Sequence, residues 1–200
     1  CSGARLFTTR DARFMTRIKN EAVELDYENT LDFFERRAAD AQAEDYLAVT
    51  VFRDREEAER RHAEECLQVL PLLQFSQDSR VLEIGCGAGR WAGTVLNEIA
   101  VAANNYVGID FSPSLIKMAR QVNKNPKAEF HVMSADALDM RVLGAGGPYT
   151  HAIITALLLY LNDPTVEKLF SQLDDLVDSG GVLYVREPIC IERHRLSLVD

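Results

Sequence analysis

VLEIGCGAGR, residues 81–90, reads as a short apolar run that ends in glycine and then turns. Val81 to Ile84 suit a buried strand. Gly85, Gly87 and Gly89 then recur at every second position, where a chain that bends sharply or approaches a ligand closely needs residues without a Cβ. A helix is expected from about Arg90 to Ala102, and its first N–H groups, unpaired within the helix, suit a polar or anionic ligand end. The spacing is GxGxG rather than the GxGxxG of dinucleotide binders, and arginine occupies position 90 where that pattern has its third glycine. Glu83 lies inside the strand, two residues before the first glycine. A carboxylate buried there is costly without a partner. A ligand ammonium, directly or through water, is the expected partner, and a salt bridge to a protein cation is the alternative.

Downstream the same alternation repeats. YVGID (106–110) is a second strand and Ser114 to Asn123 a second helix. EFHVMSAD (129–136) is a third strand, and HAIITA (151–156) a fourth, after a turn over Gly144 to Pro148. Thr165 to Asp178 is a helix stopped by Ser179, Gly180 and Gly181, and VLYVRE (182–187) is a fifth strand. Strands alternating with helices predict an α/β fold: a Rossmann-like, doubly wound, mostly parallel sheet with helices on both faces.

Upstream, Asp54 to Leu73 reads as a helix capped by Asp54, with Glu57 three residues on. Ala58, Cys66, Val69, Leu70 and Leu73 form its buried stripe, the charges of RDREEAERR its solvated face, and Pro71 kinks or ends its last turn. Residues from about Glu21 to Arg37 are partly helical, with Leu31, Phe34 and Ala38 at helix spacing, and Ala39 to Ala48 is a looser stretch. The division expected is an N-terminal extension and helical cap over 1–53 and a cofactor-binding domain over 54–200. Met15 is either a natural start or an ordinary residue in a ragged N-terminus.

Two further acids stand at strand tips. Asp110 ends the second strand, where a carboxylate can accept both hydroxyls of a ribose. Taken singly, Asp110 or Ser112 could instead cap the next helix. Asp136 follows the third strand, placed to accept a hydrogen bond from an adenine amino group.

Composition narrows the classes. A net charge of -9 repels a phosphate backbone, so nucleic acid is not an expected partner. Cys1, Cys66, Cys86 and Cys190 form no CxxC pair, and His62, His131, His151 and His194 show no zinc-ligand spacing, so neither a disulfide framework nor a metal is expected. No apolar run suits a bilayer and no signal-peptide pattern opens the chain, so a cytoplasmic protein without a membrane partner is expected.

Together, VLEIGCGAGR, GID at 108–110, SADALDM at 134–140 and GGVLYVREP at 180–188 resemble the class I S-adenosylmethionine-dependent methyltransferases over roughly Leu72 to Pro188. The resemblance implies S-adenosylmethionine as cofactor, with S-adenosylhomocysteine as product. It places the methionine part on Glu83, Gly85, Cys86, Gly87 and Gly89, the ribose on Asp110, and the adenine by Phe111, Ala135, Asp136 and Ala137. GRWA at 89–92, AVTVFRDREEAERRH at 48–62 and the late VREP are similar to a bacterial subgroup acting on small molecules of polysaccharide or secondary-metabolite pathways. The family's sheet ends with two more strands, which the 12 residues after Pro188 cannot supply. The chain is therefore expected to lack them: as a fragment, a variant closed otherwise, or a domain whose edge a homodimer or another partner completes.

Methyl transfer from a sulfonium rests on alignment and exclusion of water, with a base needed only if the acceptor must lose a proton. The expected reaction is O- or N-methylation of a small acceptor: a sugar, a polysaccharide precursor or a secondary metabolite. The acceptor is expected beyond the carboxyl ends of strands four and five. Tyr160 and Glu187 are the candidate catalytic residues. Thr155 and Arg186, with Tyr27, Tyr46 and Arg53 from the cap, are the candidate acceptor contacts. A salt bridge from Arg186 to Glu187 or Glu83 is the structural alternative, and Tyr160 can equally be a half-buried aromatic. A non-catalytic partner protein of the same fold, and a nicotinamide-dependent oxidoreductase, are the competing classes; the GxGxG spacing and Glu83 argue against the second.

Overall fold

The computed structural model describes residues 18–19, 24–40, 55–98, 106–145 and 147–188. The elements are β1 (Ile18–Lys19), β2 (Glu24–Leu25), α1 (Tyr27–Asp40), α2 (Arg55–Leu73), β3 (Val81–Ile84), α3 (Arg90–Glu98), β4 (Tyr106–Asp110), α4 (Pro113–Val122), β5 (Ala128–Val132), α5 (Met140–Gly144), β6 (Tyr149–Thr155), a 3-10 turn (Leu158–Tyr160), α6 (Asp163–Leu176) and β7 (Val177–Arg186). Strands β3 to β7 form one sheet in the order β5-β4-β3-β6-β7, and all four pairings are parallel. The expected Rossmann-like fold is the observed one. β1 and β2 make a separate antiparallel ribbon.

Side-chain alternation along the strands separates two apolar layers. Leu82, Ile84, Ile109, Ala152 and Ile154 meet Leu143 of α5 and Leu169, Leu173 and Leu176 of α6 on one face. Val81, Tyr106, Phe130 and Ile153 meet Trp91 and Val95 of α3, Ile116 and Ala119 of α4, and Cys66, Val69 and Leu70 of α2 on the other. Most of the predicted α2 stripe thus packs on the sheet, while the ion pairs of its outer face (Arg55–Glu59, Arg60–Glu57, Arg61–Glu57) are exposed and contribute little. Pro71 lies inside α2, which ends two residues later at Leu73.

Several boundaries differ from the sequence reading, and β5 ends at Val132 rather than at Asp136. Helix α1 begins at Tyr27 rather than near Glu21, because Glu24 and Leu25 are taken into the ribbon. Helix α6 ends at Leu176, and β7 begins at once with β-branched Val177. The run Ser179–Gly181 therefore falls within the strand, in a bulge where the register against β6 jumps from Val177 to Val182 between Tyr149 and His151. The short helix α5, capped by Asp139 through the N–H groups of Arg141 and Val142, was not anticipated. The proposed cap residue Asp54, the stretch 41–48, Tyr46, Arg53, Met15, Cys1, Cys190 and His194 lie outside the described residues. No helix among the described residues is long and apolar enough to cross a membrane.

Candidate functional site

At the carboxyl ends of β3, β4 and β6 lies a cleft. Gly85, Gly87, Asp110, Phe111, Ala135, Tyr27 and Tyr160, all named from sequence, line it together. Gly87 has φ 53, and an added Cβ there would meet nothing within 4 Å, so the backbone faces open space. That is the cradle a closely approaching ligand requires. Gly89 serves a different purpose: with φ 84, its missing Cβ would come within 2.5 Å of the Asn123 side chain, so it allows the loop to pack on α4.

Asp110 is buried at the tip of β4. Its Oδ2 accepts the Gly87 N–H at 3.0 Å and its Oδ1 the Ser112 N–H at 2.9 Å. The carboxylate thus fixes the glycine loop while each oxygen keeps capacity for another donor. Burial pushes its pKa up to about 6, against the opposing effect of these two backbone hydrogen bonds. Capping of α4 falls to Ser112, whose hydroxyl accepts the Leu115 N–H.

Glu83 is not part of the cleft. It pairs in register with Gly108, two positions below Asp110 and about 6.6 Å deeper in the sheet. Its partner within the protein is the Tyr106 hydroxyl, which donates to Glu83 Oε2, rather than a protein cation. Burial pushes the Glu83 pKa up to about 8, with the Tyr106 bond and the Arg90 charge opposing. Cys86 likewise turns into the core among Trp91 and Phe130, and burial raises its thiol. Neither Asp136 nor Ala137 lines the cleft. Asp136 contributes a main-chain carbonyl to Lys168 at 2.7 Å, and Ala137 closes a turn onto Ser134. Met133 and Ser134 stand in that wall instead, because the chain leaves β5 at Val132, four residues before Asp136.

Helix α1 closes the cleft from above, with Thr30 and Phe34 facing in. Phe34 makes edge contacts with Phe111 and Tyr160, ring centres 5.9 and 5.2 Å apart. Polar groups anchor α1 at two places. The Tyr27 hydroxyl accepts the Asn162 N–H and meets the Thr165 hydroxyl at 2.8 Å. Asn162 in turn pairs its side-chain amide with the Leu25 backbone. Further along, Glu35 accepts from the Ser112 and Ser114 hydroxyls and the Ser114 N–H. Burial raises the Glu35 carboxyl, but these hydrogen bonds outweigh it and hold the carboxyl below its ordinary value. Sequence reading missed Glu35 and Asn162. The regular helix stripe identified Phe34, but nothing local distinguishes an acid that receives donors from the start of a distant helix.

Thr155 and Arg186 belong to a second polar cluster behind the glycine loop. Arg90 donates to Glu65 at 2.9 Å, to His62 at 3.2 Å and to Thr155 at 3.4 Å. Arg186 pairs with Glu65 at 2.6 Å rather than with Glu83 or Glu187, and the Tyr184 hydroxyl donates to the same carboxylate. Burial, then the Arg90 charge, lowers the His62 pKa to about 4. Glu187 sits at the end of β7. Its Oε1 accepts the N–H groups of Leu157 and Leu158 at 2.8 and 2.9 Å, while its buried Oε2 has no hydrogen-bond partner among the described residues. Among those residues no group of three or more His, Cys, Asp or Glu is placed to hold a metal ion.

Residues 81–181 match the family model described as a methyltransferase domain. The chain is 27% identical to phosphoethanolamine N-methyltransferase 1 of Triticum aestivum over 173 residues, covering 86% of this chain and 33% of that protein. It is 32% identical to phosphoethanolamine N-methyltransferase 1 of Arabidopsis thaliana over 124 residues, covering 62% of this chain and 24% of that one. The chain thus spans between about a quarter and a third of these curated relatives. Among solved structures, Haemonchus contortus phosphoethanolamine N-methyltransferase 1 in complex with phosphoethanolamine and S-adenosylhomocysteine superposes with a TM-score of 0.64 at 19% identity, over 86% of this chain and 35% of that one. A DhpI–SAM–HEP complex gives 0.60 at 20% identity, over 84% and 68%.

Proposed function

Since the chain belongs to the methyltransferase domain family, the class I S-adenosylmethionine-dependent methyltransferases, we propose that it methylates the nitrogen of a small phosphorylated amine. When bound, the cofactor would supply a methyl group carried on a cationic sulfonium, whose sulfur would depart as a neutral thioether. The observation that carries the reading is the Asp110 carboxylate at the tip of β4, bonded to the glycine loop and opening on the same cleft as Gly87. In this reading Asp110 holds the ribose, Gly85 and Gly87 let the backbone approach the methionine part, and Phe111, Met133 and Ala135 pack on the adenine. The residues present fit that group: an open glycine cradle, an acid with lone pairs left, and an apolar wall.

The nitrogen acceptor is supported by the names of the curated relatives and by the aromatic lining. Phe34, Phe111 and Tyr160 meet edge to face at the cleft, and ring faces favour a cationic neighbour such as a sulfonium or an amine. Tyr160, on the cleft wall, would orient the acceptor. An ammonium must lose its proton before its lone pair can attack. Residues 1–53 act in this reading as the cap and 54–200 as the cofactor-binding domain.

Calorimetric titration with S-adenosylhomocysteine and with NAD, followed by methyl transfer to phosphoethanolamine, ethanolamine and a phosphorylated alcohol, tests the proposal. Binding of S-adenosylhomocysteine alone, with N-methylation of phosphoethanolamine, is the expected result. Binding of NAD, or methylation of the alcohol alone, would overturn it.

A further inference from the structure

Three consecutive N–H groups at the end of β6 are received by two consecutive residues at the end of β7. The Ala156 N–H donates to the Arg186 carbonyl at 2.8 Å, and those of Leu157 and Leu158 donate to Glu187 Oε1 at 2.8 and 2.9 Å. Ala156 has φ 53, a left-handed conformation that a residue with a Cβ adopts only where its surroundings hold it there. The 3-10 turn that follows has no side-chain cap of its own. A carboxylate from a neighbouring strand takes the place of that cap. The segment held in this way is a wall of the cleft: Ala156, Leu157, Tyr160 and Leu161 all line it. Leu157 also presses on Gly85, whose missing Cβ would lie 3.1 Å from the Leu157 side chain. Moving Leu157 would therefore move the contact that shapes the first glycine of the loop.

We infer that Glu187 is a positioning residue: it fixes the strained 156–158 backbone, and through it the Leu157–Tyr160 wall, rather than exchanging a proton with the acceptor. The inference deepens the reading of the cleft as the cofactor and acceptor site and rests on it. It replaces the catalytic role that sequence alone assigns to Glu187. Both N–H groups converge on one oxygen, so what the loop needs is a well-placed acceptor rather than a negative charge. A glutamine amide oxygen can accept the same pair, whereas it cannot act as a base.

The test is hydrogen exchange by mass spectrometry on the peptide 155–161, with calorimetric titration by S-adenosylhomocysteine, on wild type, Glu187→Gln and Glu187→Ala. The alanine variant should exchange at Leu157 and Leu158 about tenfold faster and bind S-adenosylhomocysteine about tenfold more weakly, with its melting transition still cooperative. The glutamine variant should stay within about twofold of wild type in both measurements. Equal impairment of the two variants, or unchanged exchange in the alanine variant, would overturn the inference. Failure of the wild type to bind S-adenosylhomocysteine would instead sink the reading of the cleft, leaving the exchange comparison to stand by itself.

Discussion

The Glu35 carboxylate and the Ser112 hydroxyl meet at 2.5 Å across 77 residues of chain. Ser112 also donates its N–H to Asp110, so the helix over the cleft and the acid inside it share one residue. An acid on α1 thereby receives donors from the first residues of α4, where the helix dipole favours negative charge.

Replacing Glu35 with alanine should release α1 while leaving the sheet intact. Loss of these hydrogen bonds is expected to cost about 1–3 kcal/mol in denaturant unfolding. The Glu35 carboxyl lies below its ordinary value when folded, so this stability is present above the ordinary value and is lost as pH falls through the folded one. Amide exchange over Tyr27–Asp40 should accelerate; unchanged exchange there would show that Glu35 does not hold the helix.

Asp110 should make cofactor binding pH-dependent near pH 6. Ribose hydroxyls donate best to an ionised carboxylate, and burial keeps this one protonated up to about that pH. Affinity for S-adenosylhomocysteine is expected to rise between pH 5 and pH 7, on the order of tenfold. The same profile measured on Asp110→Asn should be flat and lower; a parallel rise in that variant would assign the titration to another group.

Glu83 should influence stability rather than binding. An acid that is weaker in the folded chain binds protons more tightly there, so its contribution falls as pH rises from the unfolded value of 4.5 to about 8. Glu83→Gln keeps an acceptor for the Tyr106 hydroxyl and removes the buried charge. Its melting temperature relative to wild type should therefore climb over that interval, with S-adenosylhomocysteine affinity little changed. A large loss of affinity would return Glu83 to the ligand.

The two later glycines of the loop should separate fold from function. Gly89→Ala drives a Cβ into Asn123 at a positive φ and should lower stability by about 1–3 kcal/mol. Gly87→Ala meets only open space, so its cost is the backbone strain, roughly 1–2 kcal/mol, while its new methyl enters the cleft and weakens S-adenosylhomocysteine. Equal effects of both changes on binding and on melting would contradict this division.

Much of this was legible in the chain itself. The alternation of short apolar runs with helix-period segments predicted the five parallel strands, since burial on both faces leaves that pattern locally. Gly85, Gly87, Asp110 and Phe111 were readable because a turn after one strand and the tip of its neighbour are close in any such sheet. Less legible was α6, whose end was placed at the glycines although Val177 already extends the chain and the glycines lie in a bulge.

Sequence by itself determined the sheet, the glycine bend and the acid at the tip of β4, because each follows from neighbours within a few residues. Tertiary structure decided which charged side chains reach the cleft: Glu83 lies two residues below the sheet's rim and finds Tyr106, Arg186 finds Glu65, and Glu187 receives the backbone of another strand's loop. A side chain's partner depends on its depth along a strand and on what segments far away in sequence bring beside it. No local pattern records either.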